Sequence, residues 1–181
     1  NGEKILLNNE NKNEYVYLRY NYAIKGIIED QLKAFSKGFD LLISHDEIKI
    51  FSPSELDLLI CGIPEIDIND FKNHVTFIKP YNAQTPVILL FFKVISNWNN
   101  EQRAKLLFFM TGSSRVPANG FSEFCQLSHH LLSIGPGGDR TKLPQAHTCF
   151  NTLCLPEYQT EKELNDKLIL AIYEADKYEL V

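Results

Sequence analysis

The chain has 181 residues, of which 44% are hydrophobic and 23% are charged, a balance that is ordinary for a globular protein. A chain of this length can bury a core in one domain or two small ones without disulfide bonds. The net charge is −5 and the Lys and Arg residues are scattered, which argues against nucleic-acid binding through a basic surface. The longest apolar stretch, 87–92, is too short to cross a bilayer, so no membrane association is expected.

The four cysteines, Cys61, Cys125, Cys149 and Cys154, include no C-x-x-C pair, so a redox pair or zinc ribbon has no support. They do not resemble a secreted disulfide framework, which favours the reducing interior of a cell, cytoplasmic and/or nuclear. The chain begins with Asn1 and lacks an apolar signal region, so we expect it to be part of a longer protein.

The first part of the chain predicts two helices and one strand. Apolar residues recur at helical spacing within 15–22 and again within 28–35, and Gly38 is the expected stop of the second helix. The segment 47–51 alternates weakly between apolar and polar residues, which predicts a short strand.

A capped helix and a domain boundary follow. Ser52 and Glu55 have the spacing of a capping box, Pro53 occupies the first helical position, and Gly62 is the expected end. An acidic segment begins directly after this helix. We therefore place a boundary at 62–64.

Three more helices and two more strands are predicted in the remaining sequence. Helices are expected from Thr85-Pro86 toward Trp98, from Asn100 to about Gly112, and after Thr160, which with Glu163 repeats the capping-box spacing. Short strands are expected at 131–134 and 149–155. The elements together predict an α+β fold that is mostly helical.

The residues around Cys149 are the best candidates for chemistry. Pro144 and its polar neighbours favour an exposed loop, and Cys149 lies where that loop becomes a strand. In an extended chain His147 would point to the same side as Cys149, roughly 7 Å along the strand. An imidazole there could favour the reactive thiolate or shuttle a proton, while Thr148 and Asn151 add hydrogen-bonding groups.

Other interpretations of these residues remain open. Most unpaired cysteines are buried and inert, and we expect Cys61 and Cys154 to be core residues of this kind. Two thiolates and two imidazoles, from Cys125, His129, His147 and Cys149, are suitable zinc ligands, although their spacing matches no standard pattern. A Cys–His–Asn hydrolase is a weaker alternative, because no distant histidine has a recognisable context.

The sequence also resembles the C-terminal part of the HECT domain of ubiquitin-protein ligases. The matching stretches follow the order of the family and extend over almost the whole chain: 35–39, 55–62, 66–70, 109–117, 120–121, 143–144, 147–151 and 155–156.

The resemblance implies two lobes. Residues 1–61 correspond to the mostly helical end of the HECT N-lobe, and 65–181 correspond to the α/β C-lobe, whose small sheet carries the catalytic cysteine. The connecting hinge falls at 62–64, where the helix end had already indicated a boundary.

The resemblance further implies a transferase with a thioester intermediate. Cys149 matches the cysteine that accepts ubiquitin from a conjugating enzyme and passes it to a substrate lysine. His147, Thr148, Phe150 and Asn151 match its supporting neighbours. The expected partners are ubiquitin, a conjugating enzyme and protein substrates, and this chemistry requires no metal and no other cofactor.

Two departures from the family pattern bear on function. Tyr178 stands in the C-terminal tail where the family commonly has phenylalanine, and most of the surface that docks the conjugating enzyme would lie upstream of this chain. Tyr15 is one contact position that could remain, or a helix core residue. A catalytically inactive module that binds ubiquitin or acts as a scaffold is therefore the alternative function.

Overall fold

A computed structural model describes residues 2–175, which divide into two compact units. The first unit ends at Ser52 and the second begins at Pro53. The predicted hinge at 62–64 lies inside the second unit, where Ile63 forms an antiparallel bridge with Val116. The assignment of 1–61 and 65–181 to two lobes stays a prediction.

None of the helices in the described part of the chain has the length and apolar character that a membrane span requires.

The first unit is helical. A 3-10 turn at Gly2–Lys4 precedes α1 (Lys12–Asn21), which continues as a π-helical turn (Tyr22–Gly26), and α2 (Glu29–Phe39) and α3 (His45–Ile48) follow. The two predicted helices are confirmed, with Gly38 in the last turn of α2 rather than after it. These elements bury none of their residues within the described chain.

The predicted strand at 47–51 is wrong, because α3 occupies its first residues. Ser44 caps that helix: its hydroxyl oxygen accepts a hydrogen bond from the Glu47 amide at 3.3 Å, and the Glu47 carboxylate accepts one from the Ser44 amide at 2.8 Å. This reciprocal capping box satisfies two backbone donors at the start of the helix. Its stabilising effect outweighs the weak apolar–polar alternation that predicted a strand.

The helices of the second unit are α4 (Pro53–Cys61), α5 (Ile68–His74), α6 (Pro86–Ser96), α7 (Asn100–Thr111), α8 (Gly120–Leu127) and α9 (Glu161–Ala175). The four predicted from capping signals are confirmed. Gly62 and Gly112, which follow α4 and α7, have positive φ values of 80° and 79°, a conformation that glycine adopts readily. The sequence patterns did not predict the two short helices α5 and α8.

A small mixed sheet completes the second unit. Its strands are β1 (Thr76–Phe77), β2 (Ser133–Pro136), β3 (Gln145–His147) and β4 (Thr152–Leu155), in the order β1-β2-β4-β3. β2 is parallel to β1 and β4, and β3 is antiparallel to β4. The strand predicted at 149–155 begins only at Thr152, because 148–150 form a 3-10 turn. An α+β fold with a small sheet is confirmed.

The core of the second unit lies between the sheet and its helices. α9 contacts α6 and α7, while α7 contacts β3, β4 and the turn 148–150. The fully buried side chains include Phe91, Phe121, Leu153 and Leu164. Burial of each such side chain stabilises the fold by about 1.5–3 kcal/mol before entropic costs. The turn 148–150 therefore rests on a packed support.

Candidate active site

Cys149 occupies the centre of the 3-10 turn 148–150, which connects β3 to β4. Its residue is exposed, as are Thr148 and Phe150 on either side. The turn meets α7 on its inner side, so the cysteine is presented outward from a supported segment. An exposed thiol at such a position can be reached by a macromolecular partner.

His147 is exposed and is the last residue of β3. The extended geometry expected for 147–149 is wrong, since the chain leaves the strand at His147 and enters the 3-10 turn. His147 and Cys149 are therefore not alternate residues of one strand. His147 instead lines a surface hollow beside the turn.

Backbone and hydroxyl hydrogen bonds hold the turn. The Asn151 amide donates to the Thr148 carbonyl at 3.2 Å, and the Thr152 hydroxyl donates to the Phe150 carbonyl at 3.0 Å. The Thr152 oxygen is also 2.7 Å from the hydroxyl oxygen of Ser133 on β2. The Thr152 hydroxyl therefore links Phe150, at the end of the turn, to Ser133 on the neighbouring strand β2.

Asn151 has a left-handed backbone, with φ 49° and ψ 39°. The residue is 7% exposed, and its side-chain amide nitrogen donates to the Ser128 hydroxyl at 2.6 Å and to the His130 carbonyl at 2.7 Å. The sequence identified Asn151 only as a polar neighbour of Cys149. It did not identify Ser128 and His130 as contacts of this site, because they lie more than 20 positions upstream.

A hollow of about 530 Å³ lies beside the turn. Its lining is mixed, with exposed apolar side chains, two imidazoles and one thiol: Ile78, Leu131, Phe150, His130, His147 and Cys154. Exposed apolar side chains grouped around a concave surface are typical of binding sites. Of this set, the sequence had singled out only His147 and Phe150 as site residues.

The other three cysteines are less suited to nucleophilic chemistry. Burial raises the pKa of the Cys125 and Cys154 thiols, and both residues are half-buried. A hydrogen bond with the Asp57 carboxylate raises the pKa of the Cys61 thiol. A higher pKa means less thiolate, which is the reactive form, at neutral pH.

Two predictions about these cysteines need correction. Cys61 is exposed rather than in the core, because α4 buries none of its residues in the described chain. Cys154 is half-buried at the hollow rather than fully enclosed.

The zinc site considered for Cys125, His129, His147 and Cys149 has no structural support. Within residues 2–175, no three His, Cys, Asp or Glu side chains are grouped so that they could hold a metal ion. Tyr178, the tail residue singled out in the sequence, lies outside the described residues.

The second unit has an α+β fold and presents Cys149 on an exposed turn. Comparison with known proteins identifies the family to which the chain belongs. A family model described as HECT-domain (ubiquitin-transferase) matches residues 1–181. The chain belongs to the HECT family.

Curated relatives agree with this assignment. The chain is 43% identical to the E3 ubiquitin-protein ligase RSP5 of Chaetomium thermophilum over 96% of its residues, and 43% identical to human E3 ubiquitin-protein ligase NEDD4 over 94%. It is 42% identical to the E3 ubiquitin-protein ligase pub3 of Schizosaccharomyces pombe over 95%. It spans only 21%, 13% and 22% of the lengths of these three relatives.

Proposed function

We propose that this chain is the acceptor part of a ubiquitin-protein ligase, with Cys149 as the residue that carries ubiquitin as a thioester. The observation that carries the proposal is the exposure of Cys149 on a supported turn in a chain of the HECT family. Burial raises the pKa of the Cys125 and Cys154 thiols, and the hydrogen bond with Asp57 raises that of Cys61, so each of these three thiols is less suited to act as a nucleophile.

The first step is a thioester exchange. The Cys149 thiolate attacks the carbonyl carbon that joins the C-terminal glycine of ubiquitin to the cysteine of a conjugating enzyme. A new bond from Cys149 Sγ to that carbon forms, the old carbon–sulfur bond breaks, and the departing thiolate takes up a proton. One thioester replaces another, so positioning of the two partners is the main requirement.

The second step forms an isopeptide bond. The neutral amine of a substrate lysine attacks the same carbonyl carbon, its nitrogen bonds to the carbon, and the bond to Cys149 Sγ breaks. The amine loses a proton to a nearby acceptor, and the Cys149 thiolate is regenerated. His147, exposed at the end of β3, is the candidate acceptor in this chain.

The partners follow from this chemistry: ubiquitin, a loaded conjugating enzyme and a protein with an accessible lysine. Thr148 and Phe150 flank the thiol on the exposed turn, where an incoming chain would contact them. Tyr15 on α1 is 50% exposed, which suits a contact with the conjugating enzyme. A cytoplasmic or nuclear location is part of the proposal, because the chemistry needs a reduced thiol.

The test uses the full-length protein with activating enzyme, conjugating enzyme and ubiquitin. Wild type is expected to form an adduct that thiol reductant removes, and Cys149→Ala is expected to form none. Cys154→Ala is the matched control and should keep the adduct. If wild type binds ubiquitin but never forms an adduct, the inactive binding or scaffold function replaces this proposal.

A further inference from the structure

We infer that Asn151 is a positioning residue for the transfer chemistry, because its side-chain amide fixes the turn that presents Cys149. This inference rests on the proposed function and adds a specific role for one residue. Asn151 is two positions after Cys149, and its side-chain amide donates hydrogen bonds to the segment 128–130.

The backbone conformation at position 151 explains why an asparagine occupies it. It is the only non-glycine residue with positive φ among residues 2–175, and its φ of 49° lies in the left-handed region. Asparagine enters this region more readily than most residues. The left-handed residue ends the 3-10 turn and redirects the chain into β4, so it determines where the turn lies relative to the sheet.

The side chain of Asn151 then joins the turn to a distant segment. Its amide nitrogen donates to both the Ser128 hydroxyl and the His130 carbonyl. The Ser128 hydroxyl in turn donates to the His130 carbonyl at 2.8 Å. These three groups form a closed hydrogen-bonded network, and such networks hold their members in one arrangement when every polar group is satisfied.

The main chain of Asn151 adds two further connections. Its N–H donates to the Thr148 carbonyl across the turn, and its carbonyl accepts from the Ser133 amide at 3.0 Å, at the start of β2. The turn, the segment 128–130 and β2, one of the two central strands of the sheet, therefore meet at one residue.

The network also places the His130 ring beside Phe150, the residue that follows the cysteine. His130, held by its carbonyl, has its ring centroid 5.0 Å from that of Phe150, which is 57% exposed and follows Cys149 directly. Loss of the Asn151 amide would release the segment 128–130 and with it this ring contact. The turn would retain Cys149 but lose a fixed orientation for it.

The consequence for catalysis is specific. A thiol that is exposed but poorly oriented still reacts with small reagents, whereas attack on a bulky thioester requires alignment of the two reacting atoms. Loss of the Asn151 amide should therefore slow ubiquitin transfer without weakening the docking of the conjugating enzyme.

The experiment measures single-turnover transfer of ubiquitin from a pre-loaded conjugating enzyme to Cys149 in the full-length protein. Asn151→Gly keeps the left-handed backbone but lacks the amide, and Asn151→Asp keeps the size but cannot donate. Both should lower the maximal rate constant by about tenfold or more, with the half-saturating concentration of loaded enzyme changed by less than about twofold. Alkylation of Cys149 by iodoacetamide should change far less than transfer.

Matched variants separate positioning from folding. Asn97→Gly removes an exposed amide that donates to the Lys93 carbonyl on α6, and should transfer at the wild-type rate. Ser128→Ala removes one of the two acceptors and should cause a smaller loss than Asn151→Gly. If Asn151→Gly does not fold, the transfer rates of Ser128→Ala and Asn151→Asp test the positioning role instead.

Wild-type transfer rates in the folded Asn151 variants, or in Ser128→Ala and Asn151→Asp together, would overturn the inference while leaving the proposed function intact. So would a rise in the half-saturating concentration with no change in maximal rate. Absence of any thioester in wild type would instead reject the proposed function, and this inference with it.

Discussion

At the scale of single residues, the environments of the cysteines separate one thiol from the other three. Cys125 and Cys154 are half-buried and their thiol pKa values are raised by burial, while the pKa of Cys61 is raised by its hydrogen bond with Asp57. Cys149 is exposed on the turn between two strands. Accessibility and thiolate formation are separate requirements for reactivity, and the other three cysteines fall short of at least one of them.

Selective alkylation tests this ranking. At neutral pH iodoacetamide should modify Cys149 about tenfold or more faster than Cys125 and Cys154, because burial limits both access and thiolate formation. Mass spectrometry of quenched time points gives the rate at each cysteine, with Cys149→Ala to assign the fast phase. Equal rates at Cys149 and Cys154 would contradict the ranking.

The sequence identified the thiol but only part of its surroundings. Pro144 and the polar residues near it predicted an exposed loop before Cys149. That loop is wrong, because Pro144 is buried and Gln145–His147 form β3, but the exposure of Cys149 is confirmed. The contacts of Asn151 with Ser128 and His130 join residues 23 and 21 positions apart. Long-range hydrogen bonds of this kind depend on the fold, and no local pattern indicates them.

At the scale of elements, helix ends were predictable where a cap and a stop coincide. Pro53 and Gly62 bracket α4, and the helix predicted from Asn100 to about Gly112 matches α7. The short helix α3 was missed because its weak alternation suggested a strand, although Ser44 and Glu47 had capping-box spacing. The short strand β1 pairs with the distant β2, so its formation depends on tertiary contact rather than on its own sequence.

Gly62 is required at the junction after α4 for two reasons. Its φ of 80° is strained for other residues, and a Cβ there would lie 2.1 Å from the Val116 carbonyl oxygen, which accepts the Ile63 amide. The left-handed conformation alone costs an alanine about 1–2 kcal/mol. Gly62→Ala should lower the free energy of unfolding of the second unit by more than this, because the added Cβ also collides with Val116. Urea unfolding followed by the fluorescence of Trp98, the single tryptophan in the chain, measures this loss.

Gly112→Ala is the matched control for this effect. Gly112 has nearly the same φ, 79°, but a Cβ there would meet no atom within 4 Å. It should show the backbone strain without the collision, so its loss of stability should be smaller. Equal losses at the two glycines would mean that the contact with Val116 has no energetic effect.

Two buried tyrosines anchor the end of β4 and the loop before β3. The Tyr81 hydroxyl donates to the Leu155 carbonyl at 2.8 Å, and the Tyr158 hydroxyl donates to the Lys142 carbonyl at 2.6 Å. Burial raises the pKa of each to about 12, with smaller contributions from Glu157 for Tyr81 and Glu163 for Tyr158. An ionised tyrosine could no longer donate these hydrogen bonds.

These raised pKa values predict alkaline destabilisation of the second unit. The folded pKa lies above the unfolded value of 10.0, so this stabilisation is complete below pH 10 and is lost as pH rises toward about 12. In Tyr158→Phe the free energy of unfolding should fall less steeply as pH rises from 10 toward about 12. A pH titration followed by tyrosinate absorbance should show fewer tyrosines that ionise near pH 12. An unchanged alkaline profile would contradict the assignment.

At the scale of the whole molecule, the family resemblance predicted more than the local patterns did. The α+β fold, the small sheet and the HECT family are confirmed, whereas local periodicity alone gave helices without their arrangement. The sheet order β1-β2-β4-β3 brings together segments that are more than 50 residues apart, and this topology is not encoded in any single stretch. The assignment of 1–61 and 65–181 to two lobes remains a prediction.

The two units differ in how far they bury their apolar side chains. The second buries aromatic and aliphatic side chains between its sheet and helices, while the first exposes apolar residues such as Leu6, Leu41 and Leu42. The chemistry proposed for Cys149 depends on the second unit, because the turn and the segments that support it all lie there.

The most direct test of the central claim maps the atom that carries ubiquitin. Trypsin is expected to release residues 143–162 as one peptide that contains both Cys149 and Cys154, so fragmentation within the peptide must distinguish them. After a non-reducing reaction of the full-length protein, we predict the C-terminal Gly-Gly remnant of ubiquitin on Cys149 and its absence from Cys154. A remnant on Cys154, or a peptide unmodified at both cysteines despite a loaded conjugating enzyme, would contradict the account.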